Sequence, residues 1–348
     1  MNETKSSRYH RLNRRAGAAS LLCAAGILGV LLWMHAEIGI VALFLLLEAA
    51  ALPFTFYRSF ILERRYELSV ELLTPWVSDY AKGFALSLVA AVGGAYVVYV
   101  LIRWSADWWW TAAAASAALV MFLLATLAPI ILIPLFYKLT PLGRASLVER
   151  LMALSHRAGV PALGVYEWRL GAKTRRANAA LVGSGSTRRI LISDTLLADY
   201  TEDEIEVILA HEMAHHVYKD ISHGLVFEAG LLLCSFYAAS VALRTFWQPL
   251  GLSSQADVAG LPLLLIAGGA VTLAGRPLAH AMSRRNERRA DRFALNLTNQ
   301  QTAFVNAMRR LALQNLAEES PSRAAVVLFH THPPVEERIG AARVAVEG

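Results

Sequence analysis

Residues 211–216 read HEMAHH, three histidines and a carboxylate in six positions of a chain that is 56% hydrophobic. His211 and His215 are four apart, so on a helix both imidazoles leave one face about a turn from each other. That spacing suits two nitrogen ligands on one zinc ion, and Glu212 then lies where it can reach a water in the site. His216 directly follows His215 and points elsewhere, which makes it a bystander. HExxH also arises by chance, as clustered polar residues on a helix, so its context has to decide. Thr201 and Glu204 form an S/T-x-x-E capping box that starts a helix just ahead of the motif. Ile205, Ile208, Leu209 and Met213 give that helix an apolar face.

A catalytic zinc takes three protein ligands and keeps a fourth position open. The third should come from a separate helix, and SRRNERRADRFALNL at 283–297 offers one. Glu287 could ligate the ion, and Asp291, one turn on, could hydrogen-bond a ligand histidine from behind. Ala290, Phe293, Ala294 and Leu297 supply apolar packing. Taken alone, with five arginines in the segment, a salt-bridged surface helix is the better reading.

The elements that must position these residues are set by composition. Only 17% of the 348 residues are charged, against about 25% in soluble proteins. The mean hydropathy is +0.42. Six stretches approach the roughly 20 apolar residues a spanning helix needs, near 16–35, 37–57, 83–102, 112–137, 224–246 and 258–275. The basic start (Lys5, Arg8, Arg11, Arg14, Arg15) precedes an apolar run too long for a signal peptide, so it reads as a retained first helix. Gly268 and Gly269 in the sixth stretch would let neighbouring helices approach closely. HEMAHH precedes the fifth run and Glu287 follows the sixth. Two crossings return the chain to the same side, so a helical hairpin can bring Glu287 back to the histidines.

Lys and Arg concentrate in the N-terminal tail, the 58–82 loop, segment 138–223 and the region after Arg276. The opposite side has only Arg103 and Arg244 near its helix ends. The positive-inside rule places the first set, with both termini and the candidate site, in the cytoplasm. It also accounts for the net charge of +6 and the sequence pI of about 9.4, and no nucleic-acid-binding motif is present. Trp108, Trp109 and Trp110 suit an interfacial belt on the far face. Cys23 and Cys234 lie inside apolar runs, so no disulfide framework is expected.

Four regions follow: 1–137 with four membrane helices and the 58–82 loop, 138–223 with the HExxH helix, 224–275 with two further membrane helices, and a helical 276–348. Within 138–223, residues 144–158 have helical spacing, VYEWRL and RRILISDTLL read as strands or strand ends, and GSGS at 183–186 reads as the turn between extended segments.

Taken together, these residues resemble the CAAX prenyl protease 1 family, integral-membrane zinc endopeptidases of the gluzincin type. The resemblance runs through FILERRYELS with Trp76, Asp79 and Lys82, then IPLFYKLTPL, RANAALVGSGSTRRILISDTLL, ILAHEMAHH, SRRNERRADRFA and THPPVEERI. It covers nearly all of the chain after the first helices, in the family's order. It implies a mainly α fold: a bundle of about six transmembrane helices, with a cytoplasmic-side metalloprotease domain carrying a small β-sheet. It implies His211, His215 and Glu287 as ligands to one Zn2+, Glu212 as general base and Asp291 as the carboxylate behind a ligand. Asn178 and Ala179 match an Asn-Ala pair on the strand lining the substrate cleft. His332 and Arg338 match residues that stabilise the tetrahedral intermediate. Read without the resemblance, Asn178 is a turn asparagine and His332 a loop histidine held by Pro333 and Pro334.

The implied partners are the bilayer and a peptide or protein substrate, prenylated or otherwise membrane-associated. The family's eukaryotic members have seven membrane helices around a large chamber, and six are counted here. The Ala- and Arg-rich composition points to a bacterial inner membrane, where unmodified membrane-associated peptides are an equally good substrate class. One rival is a general membrane quality-control protease of the heat-shock HtpX kind, which would share the zinc site; the ERRYELS stretch speaks for the CAAX-type branch. A site-2-type intramembrane protease would bury HExxH in a spanning helix, but here the motif follows the polar TEDEIE. A non-proteolytic scaffold or zinc-dependent signal transducer would have no use for Glu212.

Overall fold

The computed structural model describes residues 4–183 and 185–344. In chain order, four long helices come first: α1 (Lys5–Trp33), α2 (Ile40–Arg65), α3 (Leu73–Trp104) and α4 (Trp109–Phe136). A mixed segment follows, made of β1 (Leu139–Pro141), α5 (Ala145–Arg157), β2 (Val165–Trp168), β3 (Ala179–Val182), β4 (Arg189–Ser193), α6 (Asp194–Asp199) and α7 (Glu202–Val217). Two more long helices, α8 (Asp220–Phe246) and α9 (Leu261–Thr298), precede α10 (Gln301–Gln314), α11 (Arg323–Phe329) and α12 (Val335–Val344).

Among the described residues, six helices are long and apolar enough to cross a bilayer: α1–α4, α8 and α9. This is the number the apolar runs predict. The central windows of these helices are only 6–33% buried within the protein, so most of their apolar surface faces outward, where lipid must cover it. Each helix packs on the next in the order α1, α2, α3, α4, α8, α9, and α9 packs back on α1, closing a ring. Leu28, Leu43, Tyr99, Ile102, Trp109 and Leu243 make a tight core at the end of the ring remote from HEMAHH. Trp109 therefore departs from the expected belt: it is fully buried, edge-on to Phe236, while Trp108 stays exposed. Gly268 sits where a Cβ would come 3.7 Å from the Ser235 carbonyl of α8, whereas Gly269 faces open space. Only the first of the two glycines serves the helix contact.

The 58–82 loop is shorter than the charge pattern implies. Helix α2 continues to Arg65 and α3 begins at Leu73, leaving a seven-residue link, 66–72. Long basic side chains let helix ends extend past the apolar core, because their stems stay on the helix while their charges reach water.

The sheet has the order β1-β2-β4-β3. Strand β4 pairs in parallel with β2 (Ile190 opposite Val165) and antiparallel with β3 (Ile192 opposite Ala179). As an inner strand covered on both faces, β4 reads as a continuous apolar run, with Ile190, Leu191 and Ile192 fully buried. Its partner β3 alternates buried and half-buried positions and forms one edge of the sheet. Beyond it, Gly185–Thr187 make a 3-10 turn where GSGS predicts a turn, and Ser184 of that motif lies outside the described residues. The core of this half joins Leu147, Leu151 and Leu154 of α5 to the sheet and to Ile205, Leu209 and Met213 of α7.

Candidate active site and metal centre

Helix α7 starts with the capping box: the Glu204 amide donates to Thr201 Oγ1 (3.3 Å) and the Thr201 amide to Glu204 Oε2 (2.9 Å). Its apolar face is buried, and His211 is carried inside with it. The helix stops at Lys219, whose φ of +56° breaks the axis, and α8 sets off from Asp220 towards the membrane. After the α8–α9 hairpin, α9 packs against α7 and presents Glu287 and Asp291, both buried.

The hairpin brings three donor groups together. His211 Nε2 lies 3.3 Å from Glu287 Oε2, and His215 Nε2 lies 3.5 Å from Glu287 Oε1. One donor atom from each of His211, His215 and Glu287 falls within 4.8 Å of the others. Ligands about 2.0–2.1 Å from a tetrahedral zinc stand about 3.3–3.5 Å apart, and each imidazole Nε2 stands at such a distance from one oxygen of Glu287, Oε2 for His211 and Oε1 for His215. Glu287 Oε2 is buried without a hydrogen-bond partner among the described residues, a cost that a cation would remove. Two imidazole nitrogens and a carboxylate oxygen form a donor set suited to zinc.

Both imidazoles are held from behind. His211 Nδ1 is 2.9 Å from Asp291 Oδ1, and His215 Nδ1 is 2.9 Å from Asp220 Oδ2. A carboxylate on each Nδ1 keeps a proton there and leaves the Nε2 lone pair facing the centre. Burial disfavours the charged form of His211, but the neighbouring Asp291 and Glu287 carboxylates outweigh it and raise its pKa to about 9. Arg338 of α12 grips Asp291 with two bonds, Nε to Oδ2 (2.8 Å) and Nη2 to Oδ1 (2.5 Å), and its Nη2 lies 3.8 Å from Glu287 Oε2. Burial works against the guanidinium charge, yet Asp291 and Glu287 raise its pKa further.

Glu212 lines the same cavity, about 380 Å³ in volume, and makes no hydrogen bond or ion pair among the described residues. Burial raises its pKa, while His211 and His215 pull the other way. His332 projects from the loop before α12, with Nε2 3.4 Å from Glu287 Oε1 and Nδ1 2.9 Å from Thr331 Oγ1. Across the cavity lie Asn178 and Ala179 at the start of β3. The Ser193 amide donates to the Asn178 carbonyl and the Asn178 amide to Ser193 Oγ, both at 2.9 Å. Antiparallel alternation then turns Ala180 and Val182 towards β4, and leaves the main-chain groups of Ala179 and Leu181 on the free edge.

Two residues escape sequence reasoning. His216 is not a bystander: its Nε2–H donates to the Leu181 carbonyl (2.7 Å) on that free edge, and burial lowers its pKa and keeps it neutral. Asp220 positions His215 and also bonds Arg289, whose guanidinium stacks 4.1 Å from the Tyr218 ring. An acidic residue heading an apolar span is the available signal for Asp220. For His216 the signal is an imidazole facing the strand side of a helix that carries the site on another face.

A ring of spanning helices carrying a His–His–Glu centre at one end, with His211 and Glu287 buried and His215 partly so, is the architecture of a membrane-embedded metallopeptidase. Residues 141–346 match the model of Peptidase family M48, and the chain belongs to that family. Residues 22–138 match the CAAX prenyl protease N-terminal model, described as five membrane helices, where this chain has the four helices α1–α4. The uncharacterized metalloprotease YhfN of Bacillus subtilis is 31% identical over 282 residues, covering 79% of this chain and 65% of YhfN. The CAAX prenyl protease 1 of Saccharomyces cerevisiae is 25% identical over 312 residues, covering 83% of this chain and 68% of the yeast protein. This chain thus spans about two thirds of either relative. The crystal structure of S. mikatae Ste24p superposes with a TM-score of 0.82 at 21% identity, covering 97% of this chain and 88% of the other, a likeness of fold.

Proposed function

We propose that the protein is a zinc-dependent endopeptidase of the bacterial inner membrane, with both termini and the active site cytoplasmic, cleaving membrane-associated or lipidated peptides. The observation that carries this reading is the convergence of one donor atom each from His211, His215 and Glu287, within 4.8 Å of one another, beside a cavity lined by Glu212 and the start of the edge strand β3. The Lys/Arg distribution supports the orientation. The CAAX-type names of the relatives support the substrate class.

His211, His215 and Glu287 would hold the ion, with Asp291 and Asp220 fixing the imidazoles. A bound zinc supplies Lewis acidity, polarising the scissile carbonyl and bringing the pKa of water in the site towards about 7. Glu212 takes the proton of the attacking water and delivers it to the leaving amine. Its raised pKa suits both halves of that transfer. Charge builds on the carbonyl oxygen in the transition state. His332 can donate to that oxygen from the open side of the cavity, and the buried Arg338 cation adds favourable potential. The substrate backbone adds as a strand along β3, pairing with the main-chain N–H and C=O of Ala179, beside Asn178.

The test is Glu212→Gln in purified full-length protein. Zinc content should stay at one per chain while cleavage disappears, and normal turnover would remove Glu212 as base. Glu287→Ala should lower the zinc content, and unchanged occupancy would take Glu287 out of the site. Assaying a farnesylated CAAX peptide against casein separates CAAX-type processing from general quality control.

A further inference from the structure

The ERRYELS stretch and Asp79 play no part in the chemistry above, yet both close on the four residues that lead into β3. Arg176 Nη2 lies 3.0 Å from each carboxylate oxygen of Glu63, on α2, and 3.0 Å from the Tyr9 hydroxyl of α1, which itself donates to Glu63. Lys173 Nζ pairs with Asp79 of α3 and also donates to the Phe136 carbonyl at the end of α4 (3.1 Å). Lys82 grips the other oxygen of Asp79 (3.1 Å).

Between these two ion pairs the main chains are stitched together. The Val70 amide donates to the Lys173 carbonyl (3.1 Å), and the Arg175 amide to the Leu68 carbonyl (3.0 Å). Ser69 Oγ and Thr174 Oγ1 add bonds of 2.8 and 2.9 Å across the same seam. Segment 173–176 is therefore fastened to all four N-terminal helices, and Asn178 and Ala179 follow within three residues. Further along the free edge, His216 holds β3 at Leu181.

Half-buried ion pairs contribute little net stability but fix one geometry among several. We propose that Arg176, held by Glu63 and Tyr9, and Lys173, held by Asp79, are positioning residues: they register the β3 edge against the membrane helices and thereby against Glu212. The inference deepens the functional reading, because it takes β3 to be the edge on which substrate adds.

Hydrogen–deuterium exchange on the zinc-loaded full chain in detergent micelles tests it without needing a substrate. Glu63→Gln and Asp79→Asn should each raise exchange of the 177–182 amides roughly tenfold, the low end for a charged hydrogen bond given that the Arg176 side chain is 38% exposed. The amides of β4 and of α7 should not change, and Arg176→Lys should fall between wild type and Arg176→Ala. On a peptide the wild type cleaves, KM should rise by about the same factor with kcat and zinc content kept. Unchanged exchange at 177–182 in both variants overturns the proposal. So does a rise shared equally by β4 and α7, or a loss of zinc, because the pairs would then hold the fold and not the strand. If the wild type cleaves neither casein nor the farnesylated peptide, the functional reading fails, and exchange alone still decides the positioning role.

Discussion

Asp220 offers the sharpest check on how the metal centre is built. Its carboxylate faces two donors: Oδ2 takes the proton of His215 Nδ1 at 2.9 Å, and Oδ1 takes Arg289. Asp220→Asn keeps the size but replaces one acceptor oxygen with an NH2 group. Whichever way the new carboxamide faces, that NH2 meets either Arg289 or the His215 Nδ1 proton, and both are donors. One charge-assisted bond is lost in either orientation, worth about 1.5–3 kcal/mol, or roughly 10–150-fold in an equilibrium constant. The Arg289 side chain is 34% exposed, which moves the expectation to the lower end. Zinc affinity, measured by competition with a chelator of known strength, should therefore weaken about tenfold. Asp220→Ala, which leaves His215 and Arg289 both without the carboxylate, should weaken it further. A dissociation constant within twofold of wild type in both variants would refute the claim that Asp220 orients His215.

The remaining predictions concern the base and the strand edge. Glu212 works as a base only when ionised, and burial raises its pKa above the ordinary 4.5. On the acid side kcat/KM should accordingly fall off as Glu212 takes up its proton; with zinc content checked at each pH, a zinc-loaded protein that shows no acid limb refutes the assignment. His216→Phe removes the donor to the Leu181 carbonyl and should raise KM about fivefold at unchanged kcat and zinc content, the loss of one ordinary hydrogen bond. Gly183 has φ of +86°, and a Cβ there would stand 2.6 Å from the Thr187 carbonyl oxygen. Gly183→Ala should cost about 2 kcal/mol or more, read as a lower thermal midpoint. Gly185→Ala, with positive φ but open space, is the milder control.

What the sequence discloses follows from which forces are local. Apolar runs declare themselves because a spanning helix must satisfy its backbone internally and present apolar side chains to lipid, so the six helices are countable. The capping box at Thr201 is local, and so is the one-turn spacing of His211 and His215. Glu287 becomes a candidate through parity of crossings, a topological argument that needs no coordinates. Other features depend on distant partners. Strand β1, three residues ending in Pro141, forms because β2 offers an edge, and nothing in Leu139–Pro141 alone marks a strand. The left-handed turn that swings Asp220 behind His215 falls on Lys219, not on a glycine, so no breaker announces it. Trp109 reads as an interfacial anchor until packing against Phe236 buries it.

The site is vulnerable where its two halves meet. His211, Glu212 and His215 lie on α7, which is built into the sheet-bearing half, whereas Glu287 and Asp291 ride on a helix whose other end lies inside the ring of spans. The 3.3 and 3.5 Å separations between donors are thus distances between two substructures, set by how α8 and α9 pack at contacts such as Gly268 on Ser235. Strand β3 is in the same position, tied by Arg176 and Lys173 to helices α1–α3 and by His216 to α7. Glu287 reaches the site from the spanning helix α9 and the β3 edge is tied to α1–α3, while Glu212 rides with His211 and His215 on α7, which runs directly into the span α8. On the proposed function, the membrane half is therefore part of the geometry of the site as well as the means of keeping it at the bilayer.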